Sequence, residues 1–309
     1  MSPAAKSASK AASRVDREWH HPIPRLNAMM ACDTAFRVVA GRYLGDLTAN
    51  QEATCAGDAT ALHQMRIALT RLRAAILFFS PMIDDAKLTQ LRSELKWLNA
   101  HLGVVRDLDV AIERLKAVSK KQAQTISNYQ SWNERRADSH RHLAQALRSA
   151  RYRHLIESIS GWVENGPWSI KRGRQAAQER ASPIAAYSTD KLTRWREKLL
   201  TKSRKLGRMG TKKRHRLRLL NKKLCYSIEF FDDLLPDRRF LGQQVALKHL
   251  RNAQRALGQL NDGAKGEALA ATLHRDGIPA ATPFLSPKRK SRLIQKAAGA
   301  YRKLAALKP

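Results

Sequence analysis

Two stretches decide how this chain is read: LHQMRIALTRLRAAILFF at residues 62–79 and HRLRLLNKKLCYSIEFF at residues 215–231. In the first, Met65, Leu69, Leu72, Ile76 and Phe79 recur at three- and four-residue spacing and form one apolar stripe, with Pro81 placed to close the helix. In the second, Leu217, Leu220, Leu224, Ile228 and Phe231 do the same ahead of Pro236. A helix advances about 100° per residue, so His215, Arg218, Lys222 and Tyr226 fall within roughly 80° of one another, opposite the apolar stripe. His63, Arg66 and Arg73 cluster in the same way on the first helix, with Arg71 and Lys223 on the flanks. Each helix thus has one face for a core and one for anions.

The two stretches share His-x-x-Arg, basic residues five to ten positions on, and a terminal Phe-Phe, at an offset of 152 residues. Further on, Leu102-Gly103-Val-Val-Arg106-Asp107 matches Leu257-Gly258-Gln-Leu-Asn261-Asp262 at an offset of 155. Two ordered matches with little drift point to a tandem duplication. Apolar spacing of three to four recurs almost everywhere and strand-like alternation is absent, so the fold class is all-α. Further helices are expected at Leu26 to Leu47, Asp84 to Leu102, Leu108 to Val118, Gln124 to Val163, Tyr187 to Leu206, Arg238 to Leu257, Ala264 to Arg275 and Lys288 to Leu307. The Asn-Gly-Pro at 165–167 and Pro183 divide the chain into a flexible basic tail (1–21), a first helical half (22–165), a linker (166–184) and a second helical half (185–309).

Charge narrows the partner. With 58 Lys and Arg against 26 Asp and Glu, the formal charge is +32, while 43% hydrophobic residues are enough for a core. A folded chain of this charge repels itself unless a polyanion or salt neutralises it, which favours nucleic acid, an anionic membrane or polyphosphate as partner. Cys32, Cys55 and Cys225 are odd in number and lack CxxC spacing, so a disulfide framework and a zinc site are not expected, and a reducing compartment fits. The longest apolar run, Ala74 to Phe79, is far short of the ~20 residues of a membrane span. The first residues, rich in Ala, Ser and Lys, lack the apolar segment of a secretory signal.

Arg forks grip two phosphate oxygens, Lys supplies point charges and protonated His donates, so a His/Arg/Lys/Tyr stripe suits successive phosphoryl groups. If the two halves pack about a pseudo-two-fold axis, the two stripes line one groove. Lys96 and Arg251 align across the duplication, as do Asn99 and Gln254; Lys96, Lys248 and Arg251 are further candidates for that groove. Asp107, Asp109 and Asp262 follow Leu-Gly turns and read as helix caps or ion-pair partners of nearby Arg. Glu229 is expected to orient Arg218 or Lys222, and the Phe-Phe pairs belong to the core.

These residues resemble a known family, the CHAD domain, through 62–79, LGVVRDLDV at 102–110, 215–231 and LGQLND at 257–262, over about Leu26 to Leu307. The resemblance implies two four-helix-type bundles related by internal pseudo-symmetry, a basic central groove or channel, and binding of inorganic polyphosphate, often at polyphosphate granules in bacteria. It assigns the polyphosphate-binding role to His63, Arg66, Arg71, Arg73 and Arg106 in the first half and to His215, Arg218, Lys222, Lys223 and Tyr226 in the second. Thr70 and Cys225 stand where the family usually has basic residues, each removing a charge from the expected lining, and Asn261 stands where the first half has Arg106.

The reading is therefore a non-catalytic polyphosphate binder of the cytoplasm, at polyphosphate granules, with no cofactor, no metal and no membrane insertion. The alternative partner is nucleic acid, bound non-specifically at low salt. Against it, aromatic residues are only 6% and most lie at core phases, leaving few for base stacking. A polyphosphate-processing enzyme would need clustered metal-binding carboxylates or a Gly-rich phosphate loop, and neither GxxxxGK[ST] nor a Glu-x-Glu strand is present.

Overall fold

The computed structural model describes residues 26–122, 129–170, 173–231, 241–275 and 285–307. These residues are helical almost throughout, with no strand among them. In order they form α1 (Cys32–Ala49), α2 (Gln51–Cys55), α3 (Ala59–Phe78), α4 (Ser80–Ile83), α5 (Ala86–Gln122), α6 (Tyr129–Arg148) and α7 (Ala150–Asn165). A 3-10 turn (Pro167–Ile170) then leads to α8 (Arg174–Ala181), α9 (Ile184–Ser203), a second 3-10 turn (Leu206–Arg208), α10 (Thr211–Glu229), α11 (Leu241–Arg275) and α12 (Pro287–Ala306). No helix among the described residues is long and apolar enough to cross a membrane. The tail at 1–21 and Pro236 lie outside the described residues.

The two motif helices are α3 and α10. Asp58 starts α3 by accepting hydrogen bonds from the Thr60 and Ala61 amides, at 2.6 and 3.1 Å. Every residue of its expected apolar stripe is buried, as is Phe78. On α10, Leu217, Leu224, Ile228 and Phe231 are buried and Leu220 is half-buried. Asn221 interrupts that stripe, fully buried, and is satisfied on every side. Its Nδ2 donates to the Leu250 carbonyl and to Gln254 Oε1, both at 3.0 Å, and its Oδ1 accepts from the Tyr301 hydroxyl at 3.1 Å, joining α10, α11 and α12.

α3 packs against α1 and α5, α10 against α9 and α11, and α3 and α10 against each other. Their terminal aromatics meet at the centre. Phe78 and Phe79 lie 5.3 and 6.5 Å from Phe231 between ring centroids, Phe79 is stacked on Tyr187 at 6.0 Å, and Phe36 and Trp195 join from α1 and α9. The starts of α1 and α9 are tied as well, since the Cys32 amide donates to the Ser182 carbonyl and the Ile184 amide to the Met30 carbonyl.

Three expected boundaries differ. The Leu-Gly pairs at 102–103 and 257–258 are not turns: α5 runs unbroken for 37 residues and α11 for 35. A mid-helix Gly costs only about 1 kcal/mol, which packing readily outweighs. At Gly103 the bare backbone is used, because the Arg66 guanidinium lies against it, 3.4 Å from where a Cβ would stand, and donates to the Leu102 carbonyl at 2.9 Å. The expected helix from Gln124 to Val163 is broken at Ser149, whose hydroxyl caps α7 by accepting from the Tyr152 amide.

Phe231→Ala removes the ring that both Phe78 and Phe79 touch. It is expected to destabilise the fold by about 3–5 kcal/mol, read as a lowered urea midpoint.

Candidate functional site

Between α3, α5 and α10 lies a cavity of about 540 Å³ that takes Arg73, Lys96, Lys222, Lys223 and Tyr226 from the expected site into its lining, whereas His63, Arg66, Arg71, Arg106, His215 and Arg218 lie outside that lining. Arg73 of α3, Arg92 and Lys96 of α5, and Lys222, Lys223 and Tyr226 of α10 surround it, over a floor that includes Ile76 and Leu95. Another depression, of about 620 Å³, lies between Cys55 and Arg148 and holds none of the residues singled out in the sequence.

The charges in and beside the cavity act on one another. The Lys222 ammonium is pushed down from the ordinary 10.5 to about 8, first by burial and then by the charges of Arg218, Arg66 and Arg71. His63 is pushed down by partial burial and then by Arg106, Arg66 and Lys222. Arg66 is itself lowered, mainly by burial; Asp107 opposes the shift and Arg106 adds to it. Arg73 is lowered by burial, and Lys223 by burial followed by the charges of Arg73 and Lys198. Cations from α3, α5, α9 and α10 thus form one electrostatic cluster.

Arg71 is held differently. Its guanidinium lies 5.7 Å from the Tyr43 ring centroid and 5.6 Å from that of Tyr226, and its Nη2 meets Glu229 Oε2 at 3.3 Å. Glu229 Oε1 takes Arg251 Nη2 at 2.9 Å. Glu229 therefore orients Arg71 and Arg251, not Arg218 or Lys222 as its helical phase suggested: it sits at the end of α10, where α3 and α11 bring their arginines. The Nε atoms of Arg71 and Arg218 are buried without a hydrogen-bond partner.

The CHAD domain profile matches residues 39–271, which is most of the chain. The chain belongs to the CHAD domain family. Its fold is similar to the CHAD domain crystal structure from the plant Ricinus communis, at 24% identity and a TM-score of 0.66, covering 94% of this chain and 92% of that one. It is also similar to PptA from Streptomyces chartreusis, at 15% identity and a TM-score of 0.59, covering 90% of this chain and 96% of that one. No curated protein matches the chain.

Within this CHAD domain the two motif histidines have different surroundings. His63 is exposed beside Arg106, whereas His215 is half-buried with Nδ1 2.7 Å from Asn261 Oδ1. Asn261 occupies the position matching Arg106, so the second half exchanges a charge for a hydrogen bond that orients its histidine. Thr70 does line the cavity, but its hydroxyl donates to the Arg66 carbonyl at 2.7 Å. Cys225 does not line it; the residue is buried, with its thiol pushed up to about 12 by desolvation, so it takes no charge from the cavity wall. Lys248 is exposed on α11 and does not line the cavity.

Asp109 is an ion-pair partner, buried against Arg136 Nε at 2.6 Å and His140 Nε2 at 3.0 Å. No metal-holding group of three His, Cys, Asp or Glu occurs among the described residues. Sequence reasoning missed Arg92, one turn before Lys96 on α5, and Tyr43, which only packing brings beside Arg71.

The depressed Lys222 is directly measurable. Its side-chain carbon-13 resonances are expected to titrate near pH 8, and Arg218→Gln, which removes a neighbouring positive charge, is expected to move the midpoint upward. Between about 8 and 10.5 the unfolded chain holds more protons at this lysine than the native one, so its contribution makes stability rise with pH across that window.

Proposed function

We propose that the chain binds inorganic polyphosphate without processing it, through the cationic cavity between α3, α5 and α10. The observation that supports this most is the cavity lining itself, which brings Arg73, Arg92, Lys96, Lys222 and Lys223 together with no acidic residue among them. A flexible chain of phosphates supplies counter-charge at close spacing. The residues proposed to contact it within the cavity are Arg73, Lys222, Lys223 and Tyr226, with Lys96 and Arg92 on the α5 side, and beyond its lining His63, Arg66, Arg106 and Arg218, whose charges reach one another and Lys222. Arg71 is proposed to act through one guanidinium edge, the other being held by Glu229. His215 is proposed to donate from Nε2, since Nδ1 faces Asn261.

In this reading α3 and α10 are equivalent helices of a duplicated chain, with halves at 22–165 and 185–309 joined through 166–184. Arg forks take paired phosphoryl oxygens, Lys and protonated His add single contacts, and each contact releases condensed counterions. Bound phosphate raises the proton affinity of Lys222 and His63, so binding near pH 8 takes up protons and affinity falls as pH rises past Lys222's midpoint. A protein of this kind belongs at polyphosphate granules in the cytoplasm.

Non-specific nucleic acid is the second reading, favoured by the net charge of +32. The cavity lining offers it a single aromatic, Tyr226, for stacking.

Competing long-chain polyphosphate against duplex DNA at 150 mM salt separates the two. Polyphosphate is expected to win, and Arg66→Ala/Arg218→Ala is expected to weaken it by about a hundredfold while the helical circular dichroism is unchanged. Preference for DNA, or unchanged polyphosphate binding by the variant, would overturn the reading. Phosphate release in the presence of Mg²⁺ is expected to stay at background.

A further inference from the structure

The cationic surface beside the cavity includes residues that the sequence motifs do not contain. Lys223 lines the cavity and is exposed on α10, α10 packs against α9, and Lys198 is exposed on α9 close enough for its charge to act on Lys223, so the cationic surface continues onto the neighbouring helix. On α9, Lys198 and Lys202 are followed by Lys205 in the turn beyond, at i, i+4 and i+7, and all three are exposed. The buried side of the same helix is Leu192 and Leu199, with Ser203. α9 and α10 form an antiparallel pair joined by the short turn at Leu206–Arg208.

Some arginines elsewhere are paired. Arg37, Arg136, Arg151 and Arg194 each meet a carboxylate. Lys198, Lys202, Lys223 and Arg73 have no carboxylate partner among the described residues. Glu197 is the acidic residue nearest in sequence, and it lies about 100° round the helix from Lys198.

The geometry points to a second segment of the binding site: a strip formed by Lys198, Lys202 and Lys205 that takes the part of a polyphosphate chain emerging past Arg73 and Lys223. This rests on the polyphosphate reading of the cavity and extends it to ligand length. A ligand short enough to stay within the cavity does not reach the strip. A long one does, and gains contacts in proportion to the phosphates it lays along α9.

Full-length protein and its Lys198→Ala/Lys202→Ala variant, altered only at exposed positions, are compared for binding of long-chain polyphosphate and of tripolyphosphate across a salt series. The variant is expected to lose about tenfold in affinity for the long chain at 150 mM salt, with a salt slope shallower by about one to two, and to bind tripolyphosphate as before. Lys198→Arg/Lys202→Arg is expected to restore long-chain binding. Lys87→Ala/Arg153→Ala, which removes the same net charge at exposed positions of the first half, is expected to change neither. Unchanged long-chain affinity in the α9 variant, equal loss for both lengths, or equal loss in the Lys87/Arg153 variant would each overturn the strip. If the unaltered protein binds neither length, the cavity reading itself fails, a result distinct from all of these.

Discussion

Phe78, Phe79 and Phe231 hold α3 and α10 together, and nearly everything else in the molecule depends on that contact. The rings meet at 5.3 and 6.5 Å at the ends of the two helices, with Phe36, Tyr187 and Trp195 packed around them. Burying such rings contributes several kcal/mol in all, and each well-oriented pair adds about 0.5–1.5 kcal/mol. The apolar sides of α3 and α10 share a core there, so the opposite sides have no freedom to separate. Arg66, Arg71, Arg218 and Lys222 are forced within electrostatic reach of one another because the aromatic ends are joined.

That crowding is a cost the fold carries. Two like charges about 4 Å apart repel by roughly 1–4 kcal/mol, depending on how much water screens them. The protein relieves part of it locally. Glu229 takes Arg71 and Arg251, the Leu102 carbonyl accepts from Arg66, and Lys222 sheds its proton more readily than an ordinary lysine. Exposed ion pairs such as Arg37 with Asp33 and Arg151 with Glu94 are remote from this problem and contribute little. What is left at the cavity is a lining of Arg73, Arg92, Lys96, Lys222 and Lys223 with no acidic residue among them, a concentration of one sign of charge that focuses positive potential there.

The asymmetry between the halves follows the same physics. Arg106 presses its charge on His63, whereas Asn261, at the matching position, meets His215 with a neutral hydrogen bond. One histidine is discouraged from charging by its neighbours, and the other is oriented. Similar motifs therefore sit in different electrostatic surroundings.

Helical periodicity, the apolar stripes of α3 and α10, the Phe-Phe ends and the cationic faces were all legible in the chain, because each depends on the angular step of a helix and on which side chains avoid water. Other features were not legible, since they depend on what a second helix brings. Gly103 reads locally as a turn, yet it is the bare backbone on which Arg66 lies. Glu229 looks like a partner for residues one or two turns away, yet it binds arginines from two other helices. Cys225 looks like a missing charge in the lining, yet it faces the core. Arg92, Tyr43 and Lys198 carry no motif and reach the cationic cluster only through packing. By itself the sequence determined an all-α chain with two amphipathic cationic helices, because periodicity is a property of neighbours along the chain. Only the tertiary structure decided which cations share a cavity, which are neutralised and which are left open, because electrostatic coupling depends on distances in space that sequence separation does not set.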